Sequence, residues 1–296
     1  MYDIIIIGCG VAGMTAALYA KRANKKVLVL EKNNYGGKII NTIDIENYPG
    51  ENHISGYDLA TKLYNQITEL GVEIKYEEVI SISLGDSIKK IETKDNNYTS
   101  SAIIIATGSR TRKLNIELED KFIGKGISYC ATCDGSFYKD KDVCVVGGGN
   151  TALEEALYLS NIAKKVYLVH RRDKFRGDSL LVNKVIEKDN IEIIYNGNIT
   201  KLKGEEKLES IIIDDGIEIE VDGLFIAIGY DPNNDIFKNI VELDENGYIV
   251  SDELCHTNID GIFVAGDNRS KSLRQLVTAT SDGAVASSEA IKYLNK

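Results

Sequence analysis

Residues 3–13 read DIIIIGCGVAG. The β-branched run Ile4 to Ile7 shows no alternation of polar and apolar positions, so it reads as a strand buried on both faces, as in a parallel sheet. Gly8, Gly10 and Gly13 follow directly. The first allows a tight turn out of the strand, the second lets a pyrophosphate approach the backbone, and the third lets the next helix lie close to the strand. Met14 to Ala23 continues as that helix, and Val27-Leu28-Val29-Leu30 supplies a second strand. It ends at Glu31, whose carboxylate is placed to accept hydrogen bonds from a ribose 2′-hydroxyl. The pattern is a βαβ dinucleotide-binding unit. Cys9, inside the loop, reads as a small filler.

The same plan recurs. Asp142 to Val146 is again a strand, Gly147-Gly148-Gly149-Asn150-Thr151-Ala152 repeats the fingerprint in its G-x-G-x-x-A form, and Leu153 to Ile162 reads as helix. The units also end alike, IIIATG at 103–108 matching LFIAIG at 224–229. An internal repeat decides the fold class: α/β, with two Rossmann-like units. One position separates them. Glu31 follows Gly8 by 23 residues, and His170 follows Gly147 by 23. The second unit therefore has His170-Arg171-Arg172, with Arg176 close behind, in place of the ribose-binding acid. Guanidinium groups bind a 2′-phosphate through charge-assisted hydrogen bonds, so the second site is expected to take NADPH in preference to NADH. Cys144, in the middle of a buried strand, reads as packing.

Between the units lies Tyr129-Cys130-Ala131-Thr132-Cys133-Asp134-Gly135. A C-x-x-C pair can close a disulfide and reopen it, one sulfur attacking a partner disulfide while the other resolves the mixed intermediate. Asp134 follows at once, where it could pass a proton to a departing thiolate. Five cysteines in 296 residues, an odd and sparse set, argue against a structural disulfide framework. Zinc would want a second pair or two histidines nearby, and His53, His170 and His256 offer no such spacing, so no metal is expected. A net charge of −10 argues against nucleic acid or an anionic membrane as a main partner. No basic leader and no long apolar run is present, and a cytoplasmic, soluble protein is expected.

Further along the first unit, Gly36-Gly37 and Asn47-Tyr48-Pro49-Gly50 punctuate a long connection, and Leu59, Leu63, Ile67 and Leu70 form a core stripe on a helix. Near the C-terminus, Gly261-Ile262-Phe263-Val264-Ala265-Gly266-Asp267 reads as a strand that ends in a carboxylate. A final helix runs from Arg274-Gln275 to Leu294; by periodicity alone it is a terminal packing helix, while its small Ala279, Gly283, Ala284 and Ala286 would also permit close approach of a large cofactor, a role that only a family resemblance could assign.

These motifs, in this order, resemble the low-molecular-weight thioredoxin reductases over essentially the whole chain. The resemblance rests on GCGVAG at 8, ENYPG at 46, ATG at 106, CATCDG at 130, GGGNTA at 147, HRRDKFR at 170, and GIFVAGD at 261 with Arg274-Gln275. It implies FAD in a discontinuous domain of residues 1–111 and 242–296, and NADPH in residues 112–241. Its FAD contacts would be Gly8, Gly10, Val11, Ala12, Gly13, Glu31, Lys32, Gly36, Gly37, Lys38, Asn47, Ala106, Thr107, Gly108, Gly266, Asp267, Arg274, Gln275 and Leu276. Its NADPH contacts would be Gly147, Gly149, Asn150, Thr151, Ala152, His170, Arg171, Arg172 and Arg176. It further implies a homodimer, a swivel of the NADPH domain, and thioredoxin as the protein substrate. Cys133 would face the flavin, Cys130 would exchange with thioredoxin, and Asp134 would be the acid. Lys38 departs from the pattern, standing where glutamine is common. Rivals are a reductase of the same architecture serving another acceptor, or a flavin-holding redox sensor without turnover. A ferredoxin-linked relative should lack the intact second nucleotide motifs that this chain has.

Overall fold

The computed structural model describes all residues except Ile43, Asp86, Ser87 and Asp215. The chain forms two compact units, Met1–Arg110 with Asp231–Lys296, and Thr111–Tyr230. In the first, β1 (Tyr2–Ile7) leads through α1 (Val11–Arg22) to β2 (Val27–Glu31), then α2 (Gly56–Glu69) and β3 (Glu73–Tyr76). β4 (Val79–Leu84) and β5 (Lys89–Thr93) form an antiparallel pair that hands the chain to β6 (Asn97–Ile105). The sheet order is β3-β2-β1-β6-β5-β4. β1 runs parallel to both neighbours, with Ile7 opposite Leu30 on one side and Ile105 on the other. In α2, Leu59 and Ile67 are buried as the stripe requires, but Leu70 is the C-cap and is exposed, because the helix ends before its turn reaches the core.

The chain leaves this unit through β7 (Ser109–Thr111). The second unit has α3 (Glu119–Phe122), β8 (Ile127–Ser128), α4 (Ala131–Asp134), β9 (Asp142–Gly147), α5 (Asn150–Ser160), β10 (Lys165–His170), α6 (Ser179–Ile186) and β11 (Ile191–Tyr195). After these, β12 (Ile199–Lys203), β13 (Ser210–Ile213) and β14 (Ile217–Glu220) make a separate antiparallel sheet, and β15 (Gly223–Ala227) completes the main one. The main sheet has the order β11-β10-β9-β15-β8, all parallel. Its apolar strands are covered on one side by α5, through Ala152, Leu153, Ala156 and Leu159.

The chain returns through β16 (Tyr230–Pro232), and the first unit is completed by β17 (Ile262–Val264), parallel to β6, and α7 (Leu276–Leu294). The return lies at Tyr230/Asp231, not at the expected 241/242. Phe237 and Val241 are buried with Ile5, Ile7, Ile103 and Ile105 on one face of the first sheet, so residues 231–241 belong to that core. On the other face Ile4, Ile6 and Ile104 pack with Ala16 and Ala20 of α1 and Ala286 and Ala290 of α7. Two of the small residues of α7 serve the packing that periodicity indicates. A Cβ on Gly283 would lie 2.3 Å from the Ala12 carbonyl oxygen, so Gly283 lets two helices touch, and Ala286 fills the same core. Among the described residues no helix is long and apolar enough to cross a membrane.

Candidate active site and nucleotide cradles

In the first unit the glycine loop is shaped by its own backbone. Gly8 has φ +108°, and a Cβ there would sit 2.3 Å from the Ala106 carbonyl oxygen; on Gly13 it would meet the Gly8 carbonyl oxygen at 2.0 Å. Gly10 is different: a Cβ would meet only Gly37 Cα, at 3.9 Å. The middle glycine thus borders open space, as a backbone that receives a pyrophosphate must. Val11 and Ala12 open α1 and are buried. Glu31 accepts hydrogen bonds from the Cys9 N–H (2.8 Å) and the Asn33 N–H (2.9 Å), which hold the carboxylate against the loop. Lys32, next to it, is exposed. Gly36 and Gly37 have φ of +97° and +61°, and Gly36 bridges Gly10.

The remaining expected contacts fall on this same unit. Ala106 hydrogen-bonds Ile7, the Thr107 carbonyl accepts from Asn233 Nδ2 at 3.1 Å, and Gly108 follows in left-handed geometry. Lys38 Nζ lies 2.9 Å from Asp267 Oδ2 and 3.2 Å from Ser109 Oγ. The residue that departs from the family pattern therefore supplies the counter-charge of the carboxylate after Gly266. Arg274 stacks over Tyr248 at 3.9 Å and donates to the Asp267 and Arg269 carbonyls, fixing the loop between them. Gln275 caps α7 in a capping box with Thr278, ahead of Leu276, and its Oε1 accepts from Asn47 Nδ2 at 3.3 Å.

In the second unit Gly149, the middle glycine, has nothing within 4 Å of a Cβ position, so this cradle is open too. Thr151 and Ala152 lie in the first turn of α5, Ala152 fully buried beside Gly147. Asn150 Oδ1 accepts from the Asp178 N–H at 2.7 Å, tying the loop to the segment that carries the arginines. His170 is placed apart from those arginines. It is buried, stacked on Phe175, and its Nε2 lies 3.1 Å from the Lys174 carbonyl oxygen, which makes that nitrogen the donor. A Cβ on Gly148 would lie 2.1 Å from its ring, so His170 supports the glycine loop from beneath. Burial first, and then Arg176, Arg172 and Arg171, lower its pKa, so the ring is held neutral. Arg171, Arg172 and Arg176 are exposed, and none has an acidic partner among the described residues. Three unpaired guanidiniums beside an open glycine cradle fit a phosphorylated ribose.

The cysteines sit at the end of β8. Cys130 and Cys133 are disulfide-bonded with Cα atoms 5.3 Å apart, and both are half-buried. The Cys133 and Asp134 N–H groups donate to the Cys130 carbonyl, which closes the turn. Ser128 Oγ donates to Asp134 Oδ2 at 2.6 Å and accepts from the Cys130 N–H at 3.0 Å, linking acid and thiol. Burial raises the pKa of Asp134, with the Ser128 hydrogen bond opposing it, so this carboxyl holds its proton more firmly than an ordinary aspartate. Cys9, Cys144 and Cys255 are free and buried, and burial pushes their thiols up, which keeps them inert.

Several groups here were missed in the sequence. Glu155 of α5 is buried and accepts from the Ala131 N–H, between the two cysteines, at 3.3 Å. Its signal was available: positions 152, 155, 156 and 159 form one helical arc on which it is the lone acid. Asp282 pairs with Arg269 (2.8 Å) and Lys271 (2.9 Å) and accepts from the Gly266 N–H, bracing the loop before Asp267. Asp44, Glu46 and His53 cluster at the surface, where Asp44 raises the pKa of His53.

A redox-capable cysteine pair and two glycine cradles define a nucleotide-dependent disulfide oxidoreductase, and the chain belongs to the pyridine nucleotide-disulphide oxidoreductase family, which it matches over residues 2–283. Within that family it is similar to a thioredoxin reductase from Listeria monocytogenes, at 43% identity over 100% of this chain and 95% of that protein. It is 46% identical to the thioredoxin reductase of Mycoplasma genitalium, over 97% of this chain and 93% of that one. Among solved structures, thioredoxin reductase from Streptococcus pyogenes MGAS5005 superposes with a TM-score of 0.95 at 42% identity, covering 100% of this chain and 98% of that one.

Proposed function

We propose that this chain is an NADPH-dependent thioredoxin-disulfide reductase, with FAD held by the unit of residues 1–110 and 231–296 and NADPH by residues 111–230. The observation that carries the reading is the Cys130–Cys133 disulfide in a half-buried turn, next to the part-buried Asp134 carboxyl that Ser128 links to the Cys130 N–H, on a chain with two open glycine cradles. The curated relatives named above support the acceptor. When bound, FAD supplies the coupling between a two-electron hydride donor and disulfide chemistry. This chain's own residues do the rest. Gly8 to Gly13 with Glu31 bind and orient one dinucleotide, and Gly147 to Ala152 with Arg171, Arg172 and Arg176 bind the other and select the 2′-phosphate. In exchange, Cys130 attacks the acceptor disulfide, Asp134 passes a proton to the leaving sulfur, and Cys133 closes the ring again. The free, buried Cys9, Cys144 and Cys255 suit a reducing compartment, which supports a cytoplasmic location. A homodimer is proposed on the family resemblance, and sedimentation equilibrium of the flavin-loaded protein tests it.

The deciding experiment is an anaerobic titration of the purified flavoprotein with NADPH and, separately, NADH, with oxidised thioredoxin present. Flavin bleaching by NADPH together with catalytic appearance of thioredoxin thiols is the expected result. Bleaching with thioredoxin left oxidised would transfer the reading to another disulfide acceptor.

A further inference from the structure

The two sulfurs of the disulfide differ in what reaches them. Of the residues between the cysteines, Ala131 is fully buried and anchors the turn, whereas Thr132 is exposed, and its Oγ1 lies 3.4 Å from Cys130 Sγ. A disulfide sulfur has no proton to give, so the hydroxyl is the donor in this contact. Among the described residues no hydrogen bond reaches Cys133 Sγ. The ionisable side chains on the elements packed around the turn are acids and phenols. They are Asp134 on the turn itself, Glu155 with Glu154 and Tyr158 on α5, Tyr138 just beyond, and Tyr129 before it, whose hydroxyl donates to Glu119 at 3.0 Å. Burial first, with the Ala131 hydrogen bond opposing and the charges of Asp134 and Glu154 adding to it, pushes the pKa of Glu155 up to about 7. No cation pairs with Asp134 or Glu155 among the described residues. A thiolate formed in such surroundings gains nothing from a neighbouring positive charge and depends on hydrogen-bond donors.

We propose that Thr132 is a further catalytic residue of the dithiol centre, its hydroxyl donating to the Cys130 sulfur so that the Cys130 thiolate, and not that of Cys133, attacks the acceptor. This rests on the exchange reading of Cys130–Cys133 above. The donor already lies at the sulfur in the oxidised pair, so reduction turns a weak contact into a charge-assisted one without rearrangement. In the exchange the Cys130 thiolate forms a bond to one acceptor sulfur while the acceptor S–S bond breaks, and the departing sulfur is protonated. Cys133 then loses its proton, attacks Cys130 Sγ, releases the second acceptor sulfur as a thiolate and restores the 130–133 bond. Two electrons leave the pair and both reach the acceptor, and the two protons that the dithiol gives up balance the two that the acceptor sulfurs take up.

The test is alkylation of the flavin-loaded protein by iodoacetamide from about pH 5 to about pH 10, located by peptide mass spectrometry. Cys130 is followed in the Cys133→Ser protein and Cys133 in the Cys130→Ser protein, each with and without Thr132→Val. Loss of the hydroxyl is expected to move the Cys130 midpoint up by about one pH unit, the size of a charge-assisted hydrogen bond that water replaces in part. Below both midpoints the thiolate fraction then falls about tenfold, while the more basic thiolate is about threefold the better nucleophile. Cys130 should therefore react about three to four times slower at low pH and about three times faster at high pH, so that the two profiles cross. Thr132→Ser, which keeps the hydroxyl, should follow the threonine protein, and the Cys133 midpoint should not move. An unmoved Cys130 midpoint, or an equal shift at both cysteines, would overturn the proposal. Slower reaction at every pH, with no crossing, would overturn it too and mark a merely structural role. Wild-type protein that leaves thioredoxin oxidised would sink the acceptor assignment alone, since alkylation needs no acceptor.

Discussion

Ionising Glu155 should destabilise the folded protein, and replacing it by glutamine should remove that penalty in a pH-dependent way. The unfolded carboxyl titrates near 4.5 and the folded one near 7. Below the unfolded value both states carry the proton and the site is neutral in its effect. As pH rises between the two values, the unfolded chain releases its proton while the folded one retains it, so stability falls; above the folded value the loss is complete. A raised carboxylate thus acts in the opposite sense to the paired, depressed carboxylates responsible for acid denaturation. The separation of the two values corresponds to about 3 kcal/mol at full ionisation. Glu155 is nearly fully buried, so solvent screening takes little from that figure. Glutamine keeps an oxygen for the Ala131 N–H and has no charge. Urea unfolding of the flavin-loaded wild type and Glu155→Gln, followed by circular dichroism, should therefore show a gap that grows in favour of the variant by roughly 2 to 3 kcal/mol from about pH 5 to about pH 8. A gap that stays constant with pH would refute the buried-acid reasoning, and a gap that grows in favour of the wild type would mean that Glu155 has found a cationic partner.

Three further outcomes are expected. Cys133→Ser should leave NADPH reduction of the flavin intact and abolish thioredoxin reduction; any sustained thioredoxin turnover in that variant contradicts the assignment of the pair. Arg176→Ala removes one unpaired guanidinium from the second cradle and should raise the KM for NADPH about tenfold to a hundredfold, the worth of a charge-assisted hydrogen bond, with the KM for NADH little changed. Gly148→Ala drives a Cβ to 2.1 Å from the His170 ring, so nucleotide affinity in a fluorescence titration should fall about tenfold or more, and Gly148→Ala with His170→Ala should regain part of it. Undiminished affinity in the single variant would show that the histidine does not support the loop.

The glycine fingerprints were legible in sequence because their chemistry is local. Gly8, Gly13 and Gly147 are required by atoms a few residues away or on the adjacent strand, and the spacing to Glu31 and His170 follows from one helix and one strand of ordinary length. The boundary at Tyr230 was not legible, since Phe237 and Val241 are buried by strands more than a hundred residues upstream. Gly283 shows the same limit: smallness in a helix does not say which neighbour fills the space, and only the fold shows that α1 approaches it. Glu155 escaped because acids on helices usually face water, and only contact with the α4 turn, twenty-odd residues earlier, buries it.

The repeat itself runs deeper in the structure than in the sequence. Strand order β3-β2-β1-β6 in the first unit is matched by β11-β10-β9-β15 in the second, and each fourth strand gains a parallel neighbour, β17 and β8 respectively. Comparison in chain order could not align those two, because β17 follows its fingerprint by some 250 residues whereas β8 precedes its own. Their equivalence places the Cys130–Cys133 turn at the same strand end that carries Gly266-Asp267 in the first unit. The C-terminal edge of a parallel sheet at that strand is where such folds hold ligands. The first unit uses the position for a carboxylate held by Lys38, and the second uses it for a disulfide held by Ser128 and Glu155. One scaffold position therefore carries an ion-paired carboxylate in one copy and a disulfide in the other, and the acid that supports the cysteine turn is recruited from α5, an element whose sequence gives no hint of that task beyond a single charge on its buried arc.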